Sequence, residues 1–338
     1  MKVYFYITGN LAAETLILAS DALKRANPEL NIQLLTDGAL PTLPEQLVTS
    51  TMVMHDLDNQ DIGLSPGDVV ITGMMWPGND ERKIFREAKE NGALSVVLLP
   101  DISGDANKFC YRGELYLPDF ICVSDKITYD NLVQLNIPKK KIVTVGSLYL
   151  DSLFKNYIPG EENKPQQNIG YLSVPNRKDF INWGCDYGFG EVEIAEDLVG
   201  ISRNTGMDLL IRKHPKELSS AKYDHLENSH CQVTDHNAGS ITAFIEKCDV
   251  VVSTYSTSLI IAMRMGRKAI SYQPDCTSPV RGGIYERLGI PVATSYQELS
   301  VLINNSTSME GGGSISDLLF NSDLSEGEFV NFINRVAF

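Results

Sequence analysis

The stretch VYFYITGNLAAETLILASDALKRA, Val3 to Ala26, decides the fold. Its first six residues are all aromatic or β-branched, which suits a short strand. A Gly-Asn pair then turns the chain, and the apolar residues that follow recur at helical spacing until Asn27-Pro28 stops them. Strand, tight turn and helix make one unit, and the chain repeats it.

The apolar runs NIQLLT, GDVVITGM, ALSVVLLP, PDFICVS and KKIVTVG continue the series, with helical stretches such as NDERKIFREAKENG and DKITYDNLVQLNIP between them. Strands alternating with helices predict a parallel sheet covered on both faces, whose ligand edge lies where the strands end. After Val145, GSLYLDSLFKNYIPGEENKPQQN reads as a helix and then a solvated linker rich in Pro, Gly, Asn and Glu. The pattern then restarts. NIGYLSV, MDLLIRK, DVVVST and KAISYQ read as strands, and GEVEIAEDLVGISRNTG, SITAFIEKC and STSLIIAMRMG as helices. The expected fold class is α/β, with two Rossmann-like doubly wound domains facing a cleft. Their expected bounds are 1–150 and 167–322, with a closing helix over 323–338 and a mobile loop at NNSTSMEGGGSISD.

Size and composition agree. A chain of 338 residues exceeds one ordinary core, and 43% hydrophobic content lets each half bury its own. The formal net charge of -14 speaks against a nucleic-acid partner, since such binding neutralises phosphates with clustered Lys and Arg. Cys110, Cys122, Cys185, Cys231, Cys248 and Cys276 form no C-x-x-C pair, so neither a zinc ribbon nor a disulfide scaffold is expected. MKVYFYITGN reaches a glycine too soon for a signal peptide, and no run approaches the ~20 apolar residues of a membrane span. The expectation is a cytoplasmic chain, with work at the inner face of a membrane left open and the oligomeric state unassigned.

Against this acidic background LLIRKHPKE, Leu209 to Glu217, stands out. His214 lies at the end of an expected strand, and Pro215 biases it toward an extended backbone that presents the imidazole from a defined place. Arg212, Lys213 and Lys216 add cationic donors suited to phosphate oxygens. The bland reading is a histidine that caps the following turn. A second constellation is DVVVSTYSTSLIIAMRMG, where Ser253, Thr254, Tyr255, Ser256, Thr257 and Ser258 precede a helix. One Ser or Thr suffices as a cap, so the surplus points to an anion cradle. Gly9 and Asn10 end another strand, where a small residue admits a ligand to the backbone. Neither G-x-G-x-x-G nor a P-loop is present, which removes support for NAD and ATP-cleaving readings.

In PDISGD, Asp101 and Asp105 follow a strand; either is a general base or an Asx-turn with a helix cap. His55-Asp56-Leu57-Asp58 contains a D-x-D whose surroundings read as a solvated turn, so no metal site is expected. VPNRKDFINWGCDYGFGE reads as an unusually long connection, and loops of that length are usually functional or disordered. Trp183, Tyr187 and Phe189 argue against disorder there, while Arg177 and Lys178 either face a diphosphate or decorate a lid.

Two Rossmann-like halves, a strand ending in His-Pro and a later YSTS before a helix resemble glycosyltransferases of the GT-B fold. More narrowly the chain is similar to bacterial polysaccharide transferases with an HP motif and a serine motif: CDP-glycerol glycerophosphotransferases, sialyltransferases and Kdo transferases. PDFICVSDKITYDNLVQLNIPKKKIVTVGSLYLDSL also resembles the close of their N-terminal domains. The resemblance implies that His214-Pro215 contact the donor phosphate and assist departure of the nucleotide. Ser256 and Thr257, with Ser258 beside them, would bind phosphate oxygens. A carboxylate of the N-terminal domain would deprotonate the acceptor; the sialyltransferase acidic signature is absent, and Asp101 is the candidate by position. UDP-N-acetylglucosamine 2-epimerases share the fold, but their Arg-Pro-Glu near the first helix is missing, and Ile260-Ile261-Ala262 stand where they carry paired glutamates. Many uridine-nucleotide transferases hold the donor ribose with a glutamate there, so its absence points to a cytidine-linked donor.

The expected activity is inverting, metal-independent transfer of a sugar from a CMP-activated donor to a glycan acceptor in bacterial surface polysaccharide synthesis. The nucleotide-sugar is a substrate, and no further cofactor is expected. The alternatives are an epimerase-like enzyme and a non-catalytic two-lobed receptor that closes by a hinge, the latter disfavoured by the missing export signal.

Overall fold

The computed structural model describes residues 1–7, 10–36, 51–53, 61–74, 79–100, 106–111, 114–155, 157, 167–183, 186–217, 220–305 and 324–338, and every structural statement here concerns these. The chain divides into two compact units, Met1–Tyr157 with Asp317–Phe338, and Ile158–Ser316.

The first unit carries strands β1 (Val3–Ile7), β2 (Ile32–Thr36), β3 (Thr51–Val53), β4 (Val69–Thr72), β5 (Leu94–Leu98), the short antiparallel hairpin β6 (Cys110–Tyr111) and β7 (Glu114–Leu115), then β8 (Phe120–Val123) and β9 (Ile142–Thr144). Seven of them form one parallel sheet in the order β3-β2-β1-β4-β5-β8-β9. All five residues of β1 are buried, because both faces of the sheet are covered. On one face, helix α1 (Asn10–Ala26) sets Leu16 and Leu23 against Phe5, Ile71 and Val96. On the other, α2 (Asn79–Asn91) and α3 (Lys126–Gln134) bury Ile84, Ala88 and Leu132. Helix α4 (Leu148–Phe154) ends the run.

The helix Ser325–Ala337 packs back onto this first unit. Phe329, Phe332 and Ile333 enter the core beside α1, and Phe332 meets Phe120 edge-on at 5.2 Å. Its first residue, Ser325, donates its hydroxyl to Asp151 of α4. Gly146 adopts φ 84°, and a Cβ there would collide with the Ser325 side chain.

The second unit repeats the design with β10 (Asn168–Leu172), β11 (Asp208–Arg212), β12 (Cys231–Thr234), β13 (Val250–Ser253), β14 (Lys268–Tyr272) and β15 (Val292–Ala293). Every pairing is parallel, in the order β12-β11-β10-β13-β14-β15. The helices are α5 (Asn176–Trp183), α6 (Glu191–Thr205), α7 (Ile241–Ile245), α8 (Ser258–Arg264), α9 (Gly282–Arg287) and α10 (Tyr296–Asn304). At the centre of β10, Gly170 has room for no side chain, because Cys248 and Phe244 lie against it.

In both units the strand order reverses direction beside the first strand. That is the topological switch point, where open α/β sheets take ligands at their carboxyl edge. In the second unit it lies between β10 and β13. Several elements go beyond the sequence expectation, among them β3, the β6–β7 hairpin, β15, α9 and α10. The long connection after β10 contains helix α5, and CQVT forms the edge strand β12, which the sequence reading did not include.

Candidate functional site

Strand β11 buries Leu209 and Ile211 and extends its pairing one residue further, with Lys213 N–H donating to Thr234 O at 2.9 Å. The chain then enters His214 and the 3-10 turn Pro215–Glu217. Three bonds fix this turn. His214 N–H donates to Glu217 Oε2 at 2.8 Å, Glu217 N–H to His214 O at 2.8 Å, and Lys216 N–H to His214 Nδ1 at 3.1 Å. Because Nδ1 accepts, the ring proton resides on Nε2, and the imidazole is a neutral donor.

Burial first, and then the Lys216 charge, lower the His214 pKa to about 4, against the opposite pull of Glu217 and Asp179. The folded value therefore lies below the ordinary 6.5, so the contribution of this group is complete above pH 6.5 and is lost as pH falls toward 4. We expect the unfolding free energy from urea titrations to rise across this window by up to about 1.4 kcal/mol per pH unit from this residue, and His214→Gln to flatten that component. Equal slopes in the two proteins would contradict the protonation state assigned here.

The hydroxyl stretch after β13 sits at the switch point, and its members divide by role. Ser253 Oγ donates to Leu172 O at 2.7 Å and ties the ends of β13 and β10 together. Thr254 Oγ1 donates to Asn176 Oδ1 at 3.1 Å, and Tyr255 OH to Asp179 Oδ2 at 3.4 Å. These three side chains are buried and hold the edge in shape. Ser256, Thr257 and Ser258 are only half-buried, and Ser256 Oγ accepts from Ser258 N–H at 3.2 Å and Ser258 Oγ at 2.6 Å. The Thr257 side chain makes no capping bond to α8. Arg281, after β14, donates to Tyr255 O at 3.2 Å, and Tyr285 OH to Ser256 O at 3.2 Å.

Asp179 links the two constellations. Its Oδ1 lies 3.3 Å from Lys216 Nζ in the His-Pro turn, while its Oδ2 takes the Tyr255 phenol. Asn176 is fully buried, and its Nδ2 has no hydrogen-bond partner among the described residues. Three strand ends, those of β10, β11 and β13, thus converge around Asn176, Asp179, His214, Lys216 and the hydroxyl stretch.

The basic residues expected to grip a ligand are engaged with protein. Arg212 donates to His236 O and, at 2.7 Å, to Gly239 O, and lies 5.8 Å from the Phe244 ring centroid. Lys213 pairs with Asp235 at 3.4 Å. Arg177 pairs with Glu193 on α6, and its backbone N–H donates to Glu191 Oε2 at 3.2 Å. Asn10 opens α1. Gly9, Asp101, Asp105 and the D-x-D segment lie outside the described residues.

The sequence reading missed Asn176, Asp179, Glu217 and Lys222. The first two carried a signal, since Asn followed three residues later by an acid is a helix-start pattern.

No model of a known protein family matches the chain, and no curated protein matches it. Among solved structures it is similar to MnaA of S. aureus, solved with UDP, at 13% identity and a TM-score of 0.67, covering 99% of this chain and 96% of that one. It is similar to the UDP-GlcNAc 2-epimerase of Methanocaldococcus jannaschii in complex with UDP-GlcNAc and UDP, at 12% identity and a TM-score of 0.65, covering 99% and 100%. The wall teichoic acid polymerase TagF, in a variant soaked with CDPG, matches at 11% identity and a TM-score of 0.57, covering 99% and 88%. Likenesses at this identity speak for the fold. No helix among the described residues is long and apolar enough to cross a membrane. The chain has the two-domain α/β architecture of its GT-B neighbours, two parallel sheets each covered by helices.

Proposed function

We propose that this chain is an inverting, metal-independent glycosyltransferase that takes a CMP-activated sugar and transfers it to a glycan hydroxyl in bacterial surface polysaccharide synthesis. The observation that carries the reading is His214, whose ring is fixed at the carboxyl edge with Nδ1 occupied and Nε2–H left as the donor. In the proposed reaction the acceptor oxygen attacks the anomeric carbon, the bond from that carbon to the phosphate oxygen breaks, and the nucleotide leaves with the electron pair. Negative charge grows on the phosphate, where Nε2–H and the hydroxyls of Ser256, Thr257 and Ser258 would stabilise it. The acceptor proton passes to a carboxylate of the first unit, for which Asp101 is the proposed base.

A specific observation favours transfer over epimerisation. Ile260, Ile261 and Ala262 are buried in α8, so the place of the expected glutamate pair is occupied by core residues. The same apolar helix supports a cytidine donor. The second reading is a UDP-GlcNAc 2-epimerase-like enzyme, favoured by the solved neighbours that hold UDP-GlcNAc or UDP.

A thermal-shift panel of CMP, CDP, UMP, UDP and GDP tests the reading. A ligand at 100 times its dissociation constant stabilises the native state by about 2.7 kcal/mol, enough to move the melting point visibly. Cytidine nucleotides are expected to give the largest shift. A preference for UDP would move the assignment to the epimerase or a uridine-dependent transferase, and no response would overturn the nucleotide site.

A further inference from the structure

We propose that Lys222 is a positioning residue that registers the two ligand-edge turns of the second unit against each other through a pair of buried carboxylates. The inference rests on the reading of His214 as the donor-facing group. Lys222 Nζ lies 2.6 Å from Glu191 Oε1 and also bonds Glu217 Oε1. Both glutamates are buried, at 8% and 5% exposure. Each gives its second oxygen to a backbone N–H of a different turn: Glu191 Oε2 accepts from Arg177 N–H at 3.2 Å, and Glu217 Oε2 from His214 N–H at 2.8 Å. One ammonium therefore sets the rotation of two carboxylates. Those carboxylates in turn place the turn after β10, which carries Asn176, and the turn after β11, which carries His214.

The neighbouring residues reinforce the same junction. Tyr223 is buried, and its hydroxyl bonds Ser173 Oγ at the end of β10 at 2.6 Å. Tyr171 OH donates to Glu191 O at 3.1 Å. Burial pushes the Glu191 carboxyl up, but the Lys222 bond and backbone N–H groups outweigh it and hold the group below its ordinary range, so it remains an acceptor. Stability alone does not account for such a cluster, because apolar packing of similar volume is often as stable as a buried ion group. Directed bonds to two specific backbone amides do account for it.

Removing Lys222 alone would leave two buried carboxylates uncompensated, so the principal test uses the neutral, near-isosteric triple variant Glu191→Gln, Lys222→Met, Glu217→Gln. The readout is the imidazole of His214, followed by NMR titration without any nucleotide. The groups whose charges act on this ring are Lys216, Glu217, Asp179 and His236. Neutralising Glu217 by itself would lower the His214 pKa further, since its charge raises it. Loosening of the turn acts oppositely, exposing the ring and freeing Nδ1 from Lys216 N–H. The expected result is an upward move of at least about one pH unit from about 4, with the Nε2–H tautomer giving way to a mixture. A folded triple variant with an unmoved or lowered titration and the same tautomer would overturn the proposal. If that variant does not fold, the double variant Glu191→Gln with Lys222→Met removes the bridge while keeping the net charge of the cluster and leaving Glu217 in place. It should show a smaller upward move, and no move would again overturn the proposal. Failure of the transferase reading would appear elsewhere, in the wild-type nucleotide panel.

Discussion

His214→Ala is expected to lower turnover by on the order of 10²- to 10⁴-fold while the protein stays folded, the range for groups that act on a proton or on developing charge. Among the described residues the ring's hydrogen bond, from Lys216 N–H to Nδ1, stays within its own turn, so its loss leaves the sheet intact. Donor affinity should fall less than turnover, because charge on the leaving phosphate is greater in the transition state than in the ground state. Measuring turnover and unfolding free energy on one preparation decides the matter. A variant that keeps its activity and loses about a kilocalorie of stability would make His214 a turn cap and sink the mechanism.

The largest expected stability effect belongs to the other unit. Phe329 and Phe332, at 0% and 3% exposure, fill the first core from the helix Ser325–Ala337. Truncating a buried phenylalanine costs roughly 3–5 kcal/mol, so Phe329→Ala with Phe332→Ala should remove on the order of 6 kcal/mol, comparable to the whole stability of an ordinary domain. Amide hydrogen exchange gives the resolution needed. Protection should collapse in β1 and β4, which face these rings, and change little in β10 and β13 of the other unit. Equal loss in both units would show that the chain unfolds as one block.

Much of the fold was legible because its central strands are buried on both faces and read as continuous apolar runs, as in VYFYI and VVVS. The edge strand CQVT escaped notice because it is short and only Cys231 is fully buried, so its pattern carries little signal. Helix α5 reads as part of a long connection in the sequence because its opening residues, Asn176, Arg177, Lys178 and Asp179, are polar. For the site, placement at strand ends sufficed to single out His214 and the Ser256 to Ser258 hydroxyls. What surrounds them was not legible. Lys222 meets Glu191 across 31 positions of sequence, and Asp179 meets Tyr255 across 76, contacts that only the folded sheet creates. Arg212, Lys213 and Arg177 show the converse. Their charge was evident, but the Asp235, Glu193 and carbonyl partners that engage it come from neighbouring turns and helices.

The first unit is interrupted in sequence, since its last helix follows the whole of Ile158–Ser316. On the ribosome this inverts the usual order in which the N-terminal domain finishes first. At about 5–20 residues per second, roughly 10–30 s separate the emergence of α4 from that of the helix that covers α1. Late in that interval the second unit has its whole sequence while the first still lacks Phe329, Phe332 and Ile333 beside α1, so the second unit is the first to hold every residue of its core.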